Sequence, residues 1–339
     1  MEEKPSTPQQ SWEELPPVVQ RYFHRIFNNR NVAEHETKTT PSSYPYIYPF
    51  ETIPAIQSLR FRQTGSFRLD GNWLPFVARQ TVSTNPDRLG FVWEAAISFN
   101  PKSWWSIPGS VVKVRVCDAL VHGRAYLTAS LWGILTLAHK ESSVSETYRP
   151  GEHKNDDLLL YGEFLRWLAE APLYPTVLLP SEGLVTWQAV EDKPNQAILQ
   201  MQYPPVSTKS LPSSEGEIRV LASIVVTFDS TKFWISQVEC MRPKTLPSGE
   251  MAAMPWKGYL SHYQPTTKQQ QQQQADTDTN PADQLIMWVP THMECGWIVD
   301  GKEELYFKGN NTDLDYKLRS VVVEVQEQVV PRSRRRRFS

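Results

Sequence analysis

With 339 residues the chain can bury a sizeable core unaided, so its size forces neither a structural metal nor a disulfide staple. The formal net charge is −2, and five arginines, Arg332 and Arg334 to Arg337, crowd the last eight positions; the rest is therefore mildly acidic, which excludes a general nucleic-acid footprint. Cys117, Cys240 and Cys295 stand far apart and in no CxxC spacing, which excludes a disulfide framework and a zinc knuckle.

Residues 1–14 are polar and acidic and are expected to be disordered. They lack the basic-then-apolar pattern of a signal peptide. A cytoplasmic location is expected on that ground, with nuclear targeting or a peripheral membrane anchor through the basic tail, 326–339, as alternatives. Next, LPPVVQRYFHRIF, residues 15–27, places Val18, Val19, Tyr22, Phe23, Ile26 and Phe27 on one side, with prolines at the entry, and predicts a first amphipathic helix.

After a Pro- and Tyr-rich connector, 31–54, strands begin. In LRFRQTGSFRLD, Leu59, Phe61, Gly65, Phe67 and Leu69 alternate with charged and polar residues, one face inward and one to water. Asp70-Gly71 predicts a hairpin into WLPFVARQTV. FVWEAAISF follows, then VVKVRVCDAL, which His122-Gly123 turns into AYLTASLWGIL.

The segment 155–180, NDDLLLYGEFLRWLAEAPLYPTVLLP, is apolar but carries Glu163, Arg166 and Glu170 and three later prolines, so it has no uncharged run long enough to span a bilayer. Residues 156–171 predict a helix, capped by Asn155 or Asp156 and stopped by Pro172. Its one polar stripe is Glu163, Arg166 and Glu170, with Arg166 spaced to pair with both acids. A helix apolar around most of its girth is expected to be buried.

The strand pattern resumes with GLVTWQAV, NQAILQMQY, EIRVLASIVVTF and KFWISQVEC. Further short extended segments are MAAMPWKGYLSHYQ, QLIMWVP, HMECGWIV, ELYFKG and DYKLRSVVVEV. Two polar inserts, 203–217 and the glutamine-rich 268–283, read as solvated loops rather than linkers. Because strands follow strands directly, parallel βαβ units are not indicated. The expected fold is mainly β (α+β): one domain over 15–325, with about ten strands in a large curved antiparallel sheet or half-barrel wrapped on the buried central helix, plus the N-terminal helix.

Chemistry is sparse. No Walker loop, dinucleotide glycine fingerprint, GxSxG elbow or HExxH is present. His292-x-x-Cys295 offers too few ligands for a closed zinc site, and no catalytic residue, cofactor or metal is assigned. Glu94 and Asp118 are candidate inward acids if their strands are covered on both faces. Twelve tryptophans remain to be explained. Those embedded in strands or the helix suit core filling, and also suit the lining of an apolar pocket. Trp104-Trp105 lies in a loop, where exposed indoles suit a protein partner or a membrane interface.

Taken together, RFRQTGSFRL, FVWEAAISFNP, VRVCDALVHGRAYL, EFLRWLAEAPLYPTVLLP with GLVTWQAV, PWKGYLSHY, WVPTHMECGW and ELYFKG resemble an uncharacterised, chiefly bacterial family of domains of unknown function. The resemblance covers residues 15–318, and the central helix with its proline-rich exit is its most specific part. It implies a fold similar to the curved half-barrels of periplasmic lipoprotein carriers, in which a sheet wraps a helical plug and holds acyl chains. The leading expectation is non-catalytic binding of a lipid-like or apolar molecule against the concave face. Trp93, Phe164, Arg166, Trp167 and Trp187 are the candidate ligand-binding residues, and Arg166 is the partner for a carboxylate or phosphate head. The alternatives are a filled-core interaction module using Trp104 and Trp105, and an enzyme using Glu94 and Asp118 or His292 and Cys295.

Overall fold

The computed structural model describes residues 10–27, 53–99, 112–131, 135–143, 155–202, 220–246, 248–266 and 286–319. Its strands leave the middle of a single sheet in two directions. β1 (Ile56–Leu69), β2 (Asn72–Ser83), β3 (Gly90–Phe99), β4 (Val112–Val121), β5 (Arg124–Leu131) and β6 (Leu135–Ser143) run outward to one edge. β7 (Val185–Ala189), β8 (Gln196–Gln202), β9 (Val220–Phe228), β10 (Ile235–Thr245), β11 (Met251–Pro265), β12 (Trp288–Val299) and β13 (Lys302–Leu318) return from the other edge. The halves meet where β13 pairs with β1, giving a curved, antiparallel, unclosed sheet of 13 strands.

Local chemistry accounts for most of this. At Asp70-Gly71, His122-Gly123 and Asp300-Gly301 both residues have positive φ, the geometry of tight two-residue hairpins whose twist matches the strands. At the seam, Gly65 lies opposite Gly309, and a Cβ on Gly65 would stand 1.9 Å from the Lys308 carbonyl oxygen. Only a residue without a side chain lets the two backbones approach so closely there.

Some expected boundaries shift. Residues 288–299 form one strand, although Pro290 splits them in sequence. The β12–β13 ladder begins at His292, so Pro290 pairs only with β11 and its missing N–H breaks no second ladder. ELYFKG and DYKLR likewise join as β13, because the intervening polar residues make a bulge, with Asp313 at φ 52°. β6 was not expected, since LTLAHKESS has no clean alternation; as an edge strand it needs only one partner.

Two helices pack on the sheet. α1 (Pro17–Phe27) buries the six expected residues, with Phe23 meeting Trp187 edge-on and Tyr22 against Phe228. Gln10, expected within a disordered terminus, is placed: its amide exchanges hydrogen bonds with the Trp187 backbone at 2.8 and 2.9 Å. α2 (Asn155–Glu170) carries the chain from the β6 edge to the β7 edge and packs on β3–β6 on one side and β9–β11 on the other. Its exit, residues 171–182, is a series of single 3₁₀ turns set by Pro172, Pro175 and Pro180 and buried as far as Pro180. Carbonyls released from helical bonding there are met by side chains: Tyr316 donates to Leu173 O and Trp187 to Leu178 O, each at 2.9 Å. The helix and its exit thereby bridge both halves of the sheet.

Of the remaining expectations, the loops 203–217 and 268–283, the basic tail 326–339 and the Trp104-Trp105 pair lie outside the described residues.

Candidate functional site

Between α2 and the concave sheet lies a cavity of about 820 Å³. Its walls come from both halves: Phe67 of β1, Trp93 of β3 and Leu127 of β5, and opposite them Val238 of β10, Trp256 and Leu260 of β11, Trp297 of β12 and Tyr306 and Phe307 of β13. From α2 come Leu159, Gly162, Glu163, Arg166, Ala169 and Glu170. The helix therefore presents its polar stripe to the cavity. Phe164 and Trp167, 1% and 0% exposed, pack into the core and do not line it.

Arg166 is fully committed. It donates to Asp118 of β4 and, through Nε, to Glu170 at 2.9 Å, and its guanidinium lies 4.5 Å from the Phe91 ring centre and 5.2 Å from that of Trp93. The pairing with Asp118 and Glu170 replaces the expected pairing with Glu163 and Glu170. Gln80 braces the cluster, donating to Glu170 at 2.5 Å and accepting from Arg166 at 3.3 Å. A buried row continues along the sheet: Trp93 Nε1 donates to Gln63 at 3.0 Å, and Gln63 to Asn311 at 2.8 Å. Burial pulls the Arg166 pKa down, but Glu170, Asp118 and Glu163 outweigh it and hold the guanidinium charged.

Glu163 is different. Only 5% exposed, it has an Oε2 without a hydrogen-bond partner. Burial, reinforced by the Asp118 charge and opposed by Arg242 and Arg166, pushes its carboxyl up to about 8, so near neutral pH it holds its proton. Arg242 of β10 faces it. Nη1 of Arg242 donates to Tyr306 Oη at 3.4 Å, and the guanidinium lies 5.4 Å from the Trp256 ring centre. Among the described residues no carboxylate lies within ion-pair distance of Arg242. Trp256 Nε1 also donates to Tyr306 Oη, at 3.0 Å.

The site gathers two of the five expected binding residues, Trp93 and Arg166. Phe164, Trp167 and Trp187 are core. Trp187, 2% exposed, packs between α1 and β9, because the larger apolar face of α2 and the α1 side of the sheet fill the interior first. Arg166 is held by carboxylates and is not free for a headgroup, unlike its expected role. Asp118 is inward, but Glu94 is exposed on the opposite face of β3. His292 sits between Asn310 at 2.7 Å and Glu294 at 3.3 Å, whereas Cys295, on the other face of β12, lines the cavity with its thiol pushed up to about 11 by burial. The two cannot act as a nucleophile pair. Among the described residues no three His, Cys, Asp or Glu side chains are placed to hold a metal.

Gln63, Gln80, Arg242 and Tyr306 were not singled out from the sequence. The signal was nonetheless present as parity: Gln63 falls between Phe61 and Gly65 on the inward face, and Arg242 continues the inward series Val238, Cys240.

An open antiparallel half-barrel with a helix across its hollow and a polar-centred apolar cavity beneath that helix defines the class of this protein. The chain belongs to the Family of unknown function (DUF6920), whose sequence model matches residues 49–316. The expected resemblance to an uncharacterised family of domains of unknown function therefore holds. No curated protein matches the chain. Among solved structures it is similar to a LolA superfamily protein from Nitrosomonas europaea, at 9% identity and TM-score 0.30, covering 79% of this chain and 90% of that one. It is also similar to a domain from Vibrio parahaemolyticus named for outer membrane lipoprotein sorting, at 11% identity and TM-score 0.31, covering 77% and 85%. A third neighbour is a DUF1329 family protein from Desulfovibrio piger, at 9% identity and TM-score 0.31, covering 77% and 86%. The cytoplasmic expectation does not stand and is withdrawn. No helix among the described residues is long and apolar enough to cross a membrane.

Proposed function

We propose that this protein binds a lipid-like or other apolar small molecule in the cavity beneath α2, without catalysis. The observation that carries this reading is the cavity itself: about 820 Å³, walled by Phe67, Trp93, Trp256, Trp297 and Phe307 with a few convergent polar groups. That is the size and make-up of sites for small apolar ligands, roughly 300–1,000 Å³. An interior left open at this scale does not favour a filled-core interaction module. The divergence of Glu94 from Asp118, and of His292 from Cys295, removes the acid pair and nucleophile pair on which an enzymatic reading leaned. One sheet running from Ile56 to Leu318 supports treating residues 15–325 as one domain.

Native mass spectrometry of protein purified without detergent is expected to show a retained apolar molecule. After delipidation, a fluorescent fatty-acid analogue is expected to bind with micromolar or tighter affinity. Delipidated, folded protein that ignores a broad panel of lipids and apolar molecules would refute the reading.

A further inference from the structure

Arg68, Arg166 and Arg242 line the cavity; Arg68 is exposed, and of the two sheltered guanidinium groups one is paired with carboxylates and the other is not. Arg166 is claimed by Asp118 and Glu170. Arg242 has the Trp256 face and a single long hydrogen bond, 3.4 Å, to Tyr306. A guanidinium carries five N–H donors, and one weak bond leaves most of them open toward the cavity that Arg242 lines. Beside it α2 and β10 are in contact: a Cβ on Gly162 would lie at an ordinary 3.7 Å from the Pro243 ring. The residues next to that contact, Glu163 and Arg242, both line the cavity. Glu163 brings a buried oxygen that no protein group satisfies.

We propose that Arg242 and Glu163 form an anion subsite inside the cavity, which receives the carboxylate or phosphate end of an amphiphile whose chain lies along the aromatic wall. Arg242 donates N–H groups to the anion, and Glu163, lining the cavity as a neutral acid, does not repel it. Tyr306 fixes the guanidinium while itself receiving the Trp256 N–H. The three cavity-lining indoles already face cations, Trp93 with Arg166, Trp256 with Arg242 and Trp297 with Lys244, 5.4 Å from its ring centre, which leaves fewer aromatic faces for a cationic headgroup. This assignment rests on the cavity reading above and adds the ligand's polar chemistry to it.

The test compares ligands that differ only at the head. Delipidated full-length protein is titrated near neutral pH with dodecanoate, with methyl dodecanoate and with inorganic phosphate. Dodecanoate is expected to bind about 10- to 100-fold tighter than the ester, the range for a charge-assisted pair in a sheltered site. Phosphate at the same concentration is expected not to displace it. In Arg242→Gln the affinity for dodecanoate is expected to fall to that for the ester, with the ester unchanged, and Arg242→Lys is expected to regain part of the preference. Equal affinity of acid and ester in the wild type, which needs no variant to fold, overturns the subsite while leaving the apolar cavity standing. A preference that survives in folded Arg242→Gln does the same, as does displacement by phosphate alone. Binding of neither amphiphile overturns the cavity reading and this assignment together.

Discussion

Arg166 of α2 donates to the carboxylate of Asp118 on β4, a contact between residues 48 positions apart that ties the central helix to the first half of the sheet. Both side chains are mostly sheltered, at 15% and 13% exposure. Removing one partner of such a pair leaves the other charge poorly solvated. Asp118→Asn is expected to lower the unfolding free energy by about 1–3 kcal/mol, below the cost for a fully buried pair because Glu170 still holds Arg166. In urea unfolding, the double variant Asp118→Asn/Arg166→Met is expected to lose less than the two single losses added together. Strict additivity would show that the pair does not couple helix to sheet.

The raised pKa of Glu163 makes a signed prediction for stability. The folded protein holds a proton up to about pH 8, whereas the unfolded chain releases it near the ordinary glutamate value. The contribution is therefore full below the unfolded value and is lost as pH rises through 8. The groups facing Glu163 are Asp118 on β4, Arg166 and Glu170 on α2 and Arg242 on β10. Between about pH 5 and pH 9 the wild type is expected to lose on the order of 2–4 kcal/mol relative to Glu163→Gln, which has no proton to release. Parallel stability profiles for the two proteins would contradict the assignment of that proton.

The same titration governs the ligand. Above about pH 8 an ionised Glu163 competes for Arg242 and repels an anion, so dodecanoate affinity is expected to fall there in the wild type. In Glu163→Gln the fall is expected to be absent. Fluorescence titrations across the pH range check this directly, and an identical fall in both proteins would place the effect elsewhere.

Which face of α2 meets the ligand separates two kinds of variant. Phe164 lies in the core, so Phe164→Leu is expected to cost about 1–2 kcal/mol of stability with little change in ligand affinity. Trp93 lines the cavity, so Trp93→Phe is expected to weaken apolar-ligand binding several-fold. Thermal melts paired with binding isotherms distinguish the two, and the reverse pattern would mean that the helix turns its other side to the ligand.

At the seam, Gly65→Ala is expected to destabilise by about 1–3 kcal/mol, at the upper end of that range because its Cβ would meet backbone rather than a yielding side chain. Alanine at Gly71, where nothing lies within 4 Å but φ is +81°, carries only the local conformational cost, about 1 kcal/mol. Equal losses at the two positions would argue against close packing of β1 on β13.

The residues of α1 show how far local pattern reaches: its six apolar positions recur at helical spacing, and all six are buried. The hairpins at Asp70-Gly71 and His122-Gly123 were equally legible, because positive φ at two successive residues selects few amino acids. Within β12, by contrast, Pro290 was misread as a break, since whether a missing N–H matters depends on how many neighbours the strand has. Arg242 escaped notice because KFWISQVEC was read as ending at Cys240; parity alone carries the inward series on to Arg242, and the strand runs to Thr245 beside β11.

Alternation and helical spacing, both short-range geometry, by themselves determined that this chain would be an antiparallel sheet with a buried helix. Only the tertiary structure decided that β13 pairs with β1, that α2 turns its charged stripe inward, and that, of the two sheltered arginines lining the cavity, Arg166 meets carboxylates and Arg242 does not. A strand's period of two is the same beside any neighbour, and a side chain's charge is the same whether or not a partner from elsewhere in the chain arrives to meet it. Those outcomes depend on which distant segments share one hollow, which no local repeat encodes.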